Sequence, residues 1–192
     1  MYKNGFDYIT QRPGNDGEVM AGGGWTQSGN QGLSEMGVCS DDATNYLTGS
    51  HLSGILPMAF GPGSWGEDGD GGRVKSMWSG SIGLTTDLLP FVGKLDDSLT
   101  GRKIPAHCAA TPGGLVAPAE WICAGYSGEG MVNAWLCGAA VAVMVLGREG
   151  VEAEEEPGKP GGRLFDWFPR EMVISPKRVR DASVNRLIAL VG

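Results

Sequence analysis

One stretch governs what this chain can fold into: Trp121 to Gly147, WICAGYSGEGMVNAWLCGAAVAVMVLG, a short apolar run, a glycine turn and a long apolar run. Trp121-Ile122-Cys123-Ala124, closed by Gly125, has the length and boundary of a buried strand; periodicity by itself leaves a helical turn open, and the strand is the reading taken. Met131 to Leu146 is too long for a strand and carries only Asn133 as a strongly polar side chain. That predicts a helix of roughly 24 Å at about 1.5 Å per residue, buried on most of its circumference. Ala134, Gly138 and Ala142 fall four apart and put small side chains on one face, where another backbone is expected to approach closely.

Between the two runs, Gly125-Tyr126-Ser127-Gly128-Glu129-Gly130 offers Ser127 as a helix cap and places Gly128 and Gly130 in the first turn. Each glycine gives up about 1 kcal/mol against alanine in a helix, so the pattern points to something that must come close to bare backbone N–H groups. A phosphate, a carboxylate or an electron-rich ring carbonyl suits the partial positive charge at a helix start. The competing reading is a tight strand-to-helix turn with no ligand, since glycine-rich turns are common. A dinucleotide fingerprint is rejected, because Asn133 stands where the third glycine belongs and no second strand ending in an acidic residue follows.

At 192 residues and 41% hydrophobic content the chain supports one substantial core. Glycine and proline, 33 and 11 residues, make it loop-rich but leave it below the roughly 25–30% typical of low complexity. A net charge of -7 argues against nucleic acid as a partner. Cys39, Cys108, Cys123 and Cys137 form no CxxC pair and meet no histidine at ligand spacing, so free intracellular thiols and no metal site are expected. The first residues, MYKNGFDYITQRP, lack the parts of a secretory signal, and no run reaches the roughly 18 apolar residues of a membrane span.

Along the chain, Phe6–Gln11 and Glu18–Ala21 flank the dense turn chemistry of Arg12 to Gly17, which predicts a β-hairpin. Gly22-Gly23-Gly24 lacks the lysine and helix of a phosphate loop. Asp41 to Phe60 predicts a helix crossing the sheet; His51 inside it reads as a surface or core polar group, with nothing nearby in sequence to orient it. Glu67, Asp68 and Asp70 lack the later glutamate of a calcium loop. Arg73 to Gly83 predicts a strand, and Asp96 to Pro118 an exposed insertion whose adjacent His107 and Cys108 have no partner acid. Lys177, Arg178 and Arg180 read as a solvated face of a basic terminal helix.

Trp121 to Gly147 resembles the last strand and helix of FAD-dependent oxidoreductases of the D-amino-acid oxidase, glycine oxidase and sarcosine oxidase superfamily, especially its fungal-type members. WSGSIGLTTDLLPFVGKL resembles the same family through Trp78, Gly83, Asp87, Pro90, Val92 and Gly93, as do FDYITQRP…GEVMAGGG and LFDWFPREMVISPKRV. The resemblance implies an α+β fold: the antiparallel or mixed sheet of a substrate domain, plus a buried C-terminal helix that packs on the FAD-binding domain. It divides the chain into that sheet and strand-helix over 1–147, an acidic linker over 148–162 and a tail with a short helix over 163–192.

The implied cofactor is FAD, with Gly125, Tyr126, Ser127, Gly128, Glu129, Gly130 and Met131 against the flavin, and Tyr126 and Met131 beside its ring. Trp78, Gly83 and Asp87 would border the substrate cavity. No catalytic side chain is implied, and a turn cap is preferred to a catalytic role for Asp87. Glu129 departs from the histidine or glutamine of better-known relatives. The substrate would be an amine or amino acid, and the compartment cytoplasmic or peroxisomal. The resemblance covers only the C-terminal half, without the ADP-binding half and its GxGxxG. It therefore implies a truncated or split oxidoreductase, inactive as an isolated chain and completed by a separate FAD-binding half. The alternatives are a non-catalytic ligand-binding or interaction remnant of the same fold, and an inert fragment with a partly exposed core.

Overall fold

The computed structural model describes residues 7–14, 17–65, 67–103 and 116–191. The chain divides between Ser81 and Ile82 into two compact units, and together they are α+β.

In the first unit, β1 (Tyr8–Gln11) pairs antiparallel with β2 (Val19–Gly22), Tyr8 opposite Gly22 and Gln11 opposite Val19. This is the hairpin that the turn-rich link predicts. Two 3₁₀ segments follow, Trp25–Gln27 and Gly29–Glu35, then α1 (Tyr46–Phe60) and the single turn α2 (Pro62–Trp65). Helix α1 starts later than the acidic pair Asp41-Asp42 suggests, because Asn45 is its cap: its Oδ1 accepts the N–H groups of Leu47 and Thr48 at 3.0 and 3.3 Å. Residues 73–83 form no strand. Ser79, Gly80, Ser81 and Gly83 give that segment too few side chains to pack across a ladder.

In the second unit, β3 (Phe91–Lys94) pairs antiparallel with β4 (Trp121–Ala124), Phe91 opposite Ala124 and Lys94 opposite Trp121. Val173 bridges Val92 in the parallel sense, and the Ile174 N–H donates to the Val92 carbonyl at 2.9 Å. The helical elements are α3 (Asp97–Thr100), α4 (Gly130–Val145), α5 (Leu164–Trp167), α6 (Pro176–Asp181) and α7 (Val184–Val191). Ser175 caps α6 and Pro176 opens it, the residue types that those two positions favour. Val92, Cys137, Ala140, Met144, Leu164 and Phe168 make the core, so residues beyond 163 complete it.

Two expectations need correction. Among the described residues there are two separate two-stranded antiparallel sheets, where one antiparallel or mixed sheet was expected. Helix α4 is apolar all round but is not buried on most of its circumference. Cys137, Ala140 and Met144 are buried, while Met131, Val132, Ala134, Trp135, Gly138 and Ala142 are exposed. Within its unit a single layer, β3–β4 with the C-terminal segment, lies on one side of the helix, and one layer covers one face.

Among the described residues no atom stands close over the middle of the small-residue stripe: a Cβ built on Gly138 meets nothing within 4 Å. Gly138→Ala is expected to stabilise the unit by up to about 1 kcal/mol through helix propensity. Urea unfolding would read this as a higher midpoint, and a clear loss of stability would mean that another backbone lies on that face.

Candidate functional site at the glycine turn

The chain leaves β4 and enters α4 through residues held in the left-handed region: Gly125 at φ 75°, Ser127 at φ 53° and Gly128 at φ 92°. Glycine adopts this region freely, whereas a serine does so only where its surroundings hold it. Here they do. The Ser127 N–H donates to the Gly83 carbonyl at 3.0 Å, and Ser127 Oγ accepts the Thr85 N–H at 3.1 Å. Thr85 Oγ1 donates to the Leu89 carbonyl at 3.0 Å, so the Ser127 hydroxyl is left to donate to Thr85 Oγ1, 3.2 Å away. A Cβ on Gly83 would lie 3.4 Å from the Gly125 Cα, and one on Gly125 would lie 2.7 Å from Thr85 Cγ2. The two sequence blocks that carry the resemblance thus meet backbone to backbone.

Ser127 is not the helix cap that its position suggests, because its hydroxyl serves Thr85 and its backbone is left-handed. Glu129 occupies the capping position with no side-chain hydrogen bond to the helix. The first intrahelical acceptor bond runs from the Asn133 N–H to the Glu129 carbonyl, so the N–H groups of Gly130, Met131 and Val132 have no partner within the helix. Of the predicted flavin contacts, Gly128, Glu129 and Met131 are exposed and Gly130 half-buried; Gly128 has open space where a Cβ would stand.

Tyr126 turns the other way. It packs on the core cluster with its hydroxyl 2.8 Å from Cys123 Sγ, and burial is the main cause that pushes its phenol up. Burial also pushes the Cys137 thiol up to about 11, helped by the neighbouring Cys123 thiol.

The expected substrate-cavity residues divide between the units. Trp78 lies in the first unit and is exposed. Gly83 and Asp87 lie in the second. Asp87 closes its own turn, Oδ1 accepting the Leu89 N–H at 3.2 Å, and its carboxylate is gripped by Arg178 at both oxygens, Nε to Oδ2 at 2.8 Å and NH2 to Oδ1 at 2.9 Å. Arg178 is no solvated residue: its side chain is 16% exposed, and its remaining donors go to the carbonyls of Leu89, Pro90 and Met172. Hydrogen bonds from this guanidinium hold the Asp87 carboxyl below the usual carboxylate range, against a smaller opposing effect of burial.

His51, which has nothing nearby in sequence to orient it, is 2.8 Å from Asp7 Oδ2 through Nε2, and Asp7 Oδ1 accepts the Gly24 N–H at 2.7 Å. The sequence carries no local signal for a pair 44 residues apart. His107 and Cys108 lie outside the described residues. Among those described, no three metal-ligating side chains cluster, and no helix is long and apolar enough to cross a membrane. An open hollow of about 380 Å³ between Lys94, Asp96 and Ser175 includes none of the residues from Gly125 to Met131.

No protein-family model, no curated protein and no solved structure matches the chain. Chemically, the arrangement around Gly125–Met131 offers uncapped backbone donors at a helix start on an open face, with the exposed Glu129 carboxylate at the capping position beside them. Such donors can hold an electron-rich edge.

Proposed function

We propose that the chain is the C-terminal half of an FAD-dependent oxidoreductase of the amine or amino-acid oxidase type, truncated or split from an ADP-binding half. The observation that carries this reading is the uncapped start of α4 behind an open glycine turn. Uncapped N–H groups and the helix dipole stabilise negative charge that gathers on a ligand.

The residues fit FAD in part. Gly128 and Met131 are open to a planar ring, Gly130 is half-buried beside them, and the N–H groups of Gly130, Met131 and Val132 would hold its electron-rich edge. Tyr126 does not fit its expected place beside the ring, because its phenol is committed to Cys123 in the core. Neither Gly83 nor Asp87 offers a side chain to the substrate, so their part is to fix the turn through Ser127 and Arg178. Nothing among the described residues suits the pyrophosphate. Bound flavin would supply acceptance of hydride from the carbon beside an amine, and this chain's share is orientation and charge stabilisation. The partner would be the half that binds ADP, and the substrate an amine or amino acid.

Titrating the purified chain with riboflavin, FMN and FAD tests the reading through quenching of flavin fluorescence. Weak binding of similar strength for all three is expected, because only the ring is recognised. Absence of quenching by all three would reject flavin. It would favour the second reading, a non-catalytic interaction remnant, which the exposed apolar face of α4 supports: Met131, Val132 and Trp135 lie open there.

A further inference from the structure

Two apolar helix faces of the second unit share one spacing and stand largely open among the described residues. On α4 the face is Val132, Trp135 and Leu136, which are 71%, 73% and 38% exposed. On α7 it is Val184, Leu187 and Ile188; Val184 is 65% and Ile188 36% exposed, and Leu187 is half-buried. Both follow the i, i+3, i+4 pattern by which one helix lays its apolar side against another. Helix α7 needs such a surface, because it has eight residues and isolated helices shorter than about 12–15 residues are marginal in water.

The surroundings of the two faces carry opposite charge. Trp135 Nε1 donates to the Gly158 carbonyl at 2.6 Å, which sets the turn closed by the Glu156–Lys159 and Ala153–Gly162 bridges beside the α4 face. That turn exposes Glu154, Glu155 and Glu156 against the single Lys159. The approach to α7 and its polar side expose Lys177, Arg180 and Arg186 against the single Asp181. A net charge of -7 makes an anionic lipid surface a poor occupant for α7, whereas an acid-rimmed apolar face is present on every other copy of this chain.

We infer that α7 of one copy docks on Val132, Trp135 and Leu136 of a second, which returns the contact and closes a two-fold dimer. A single contact of this length is small beside the roughly 1,000 Å² that a specific interface buries, and the reciprocal contact doubles it. Trp135 is the residue type that anchors such contacts. The glutamates opposite Arg180 and Arg186 select the direction in which α7 lies. The dimer does not rest on the flavin reading.

The test is light scattering behind size exclusion, run on a dilution series of the full chain. The expected result is twice the chain mass at high concentration, falling to the monomer on dilution. Trp135→Glu and Ile188→Glu should each raise the dimer dissociation constant by about thirtyfold or more while keeping the far-UV circular dichroism of the parent. An equimolar mixture of the two variants should dimerise more tightly than either alone, because one of the two contacts is then intact. Glu154→Lys with Glu155→Lys, at exposed positions, should weaken the dimer, and Arg180→Glu with Arg186→Glu added in the same chain should restore it. A monomer at every concentration would overturn the proposal, whether or not the chain floats with phosphatidylserine vesicles. So would charge reversals without effect, a Trp135→Glu dimer as tight as the parent's, or a mixture no tighter than its parts, since that last result means that like helices pair.

Discussion

Replacing Arg178 by methionine is expected to destabilise the second unit by about 3–4 kcal/mol, because one side chain holds together segments far apart in sequence. Its loss leaves the Asp87 carboxylate, 33% exposed, without its counter-charge, and the Pro90 and Met172 carbonyls without this donor, while the Leu89 carbonyl keeps only the Thr85 hydroxyl. The contact of the guanidinium with the Phe91 ring, 4.4 Å from its centroid, goes as well. Arg178→Lys should recover little, since an ammonium cannot present five donors in a fixed fork. Asp87→Asn should cost less, about 1–2 kcal/mol, because an amide oxygen still accepts the Leu89 N–H.

The pH dependence follows from the direction of the Asp87 shift. Its folded carboxyl titrates below its unfolded value of about 4. The stabilisation is therefore complete above the unfolded value and is lost as pH falls through the folded one. Urea unfolding of the three chains between neutral pH and about pH 3 should show an acid limb that is steep in the parent and shallower in Asp87→Asn. Arg178→Met within about 0.5 kcal/mol of the parent would sink the argument, because that is the range of ordinary surface changes.

What could be read from the sequence was what local chemistry decides. The apolar runs and Gly125 mark β4, the turn and α4, and the turn residues from Arg12 to Gly17 mark the first hairpin. What could not be read was partner choice over long separations. Arg178 stands in a basic run that looks solvated, and only the fold, by bringing Asp87 and three carbonyls to it, makes it a half-buried clamp. Asp7 and His51 are the same case in the first unit. Ser127 shows the same limit at one residue. Its type and position suit a cap, but Thr85, 42 residues away, takes the hydroxyl. Helix α4 was misjudged for a related reason: its composition says how much apolar surface exists, not how much of it this chain can cover.

Gly125→Ala is expected to cost about 3–4 kcal/mol, from two separate causes. A left-handed φ of 75° penalises any Cβ by about 1–2 kcal/mol. The new methyl would also stand 2.7 Å from Thr85 Cγ2, and Thr85 cannot rotate away, since its hydroxyl is held by Leu89 and Ser127 together; crowding of this kind costs about 1–3 kcal/mol. Gly128→Ala separates the causes. Its φ of 92° is equally unfavourable, but nothing lies within 4 Å of the added atom, so about 1–2 kcal/mol should be lost. Thr85→Ser removes the offending methyl, and in that background Gly125→Ala should lose the crowding part of its cost, a coupling that a double-mutant cycle measures directly. Additive effects would mean that Thr85 does not press on Gly125. The pair also bears on function: Gly128→Ala leaves the Gly83–Gly125 contact intact and adds a methyl on the open side of the turn. A ligand that needs the bare backbone there should then bind less tightly in a protein that still folds, and unchanged flavin quenching in that variant would move the ligand away from the turn.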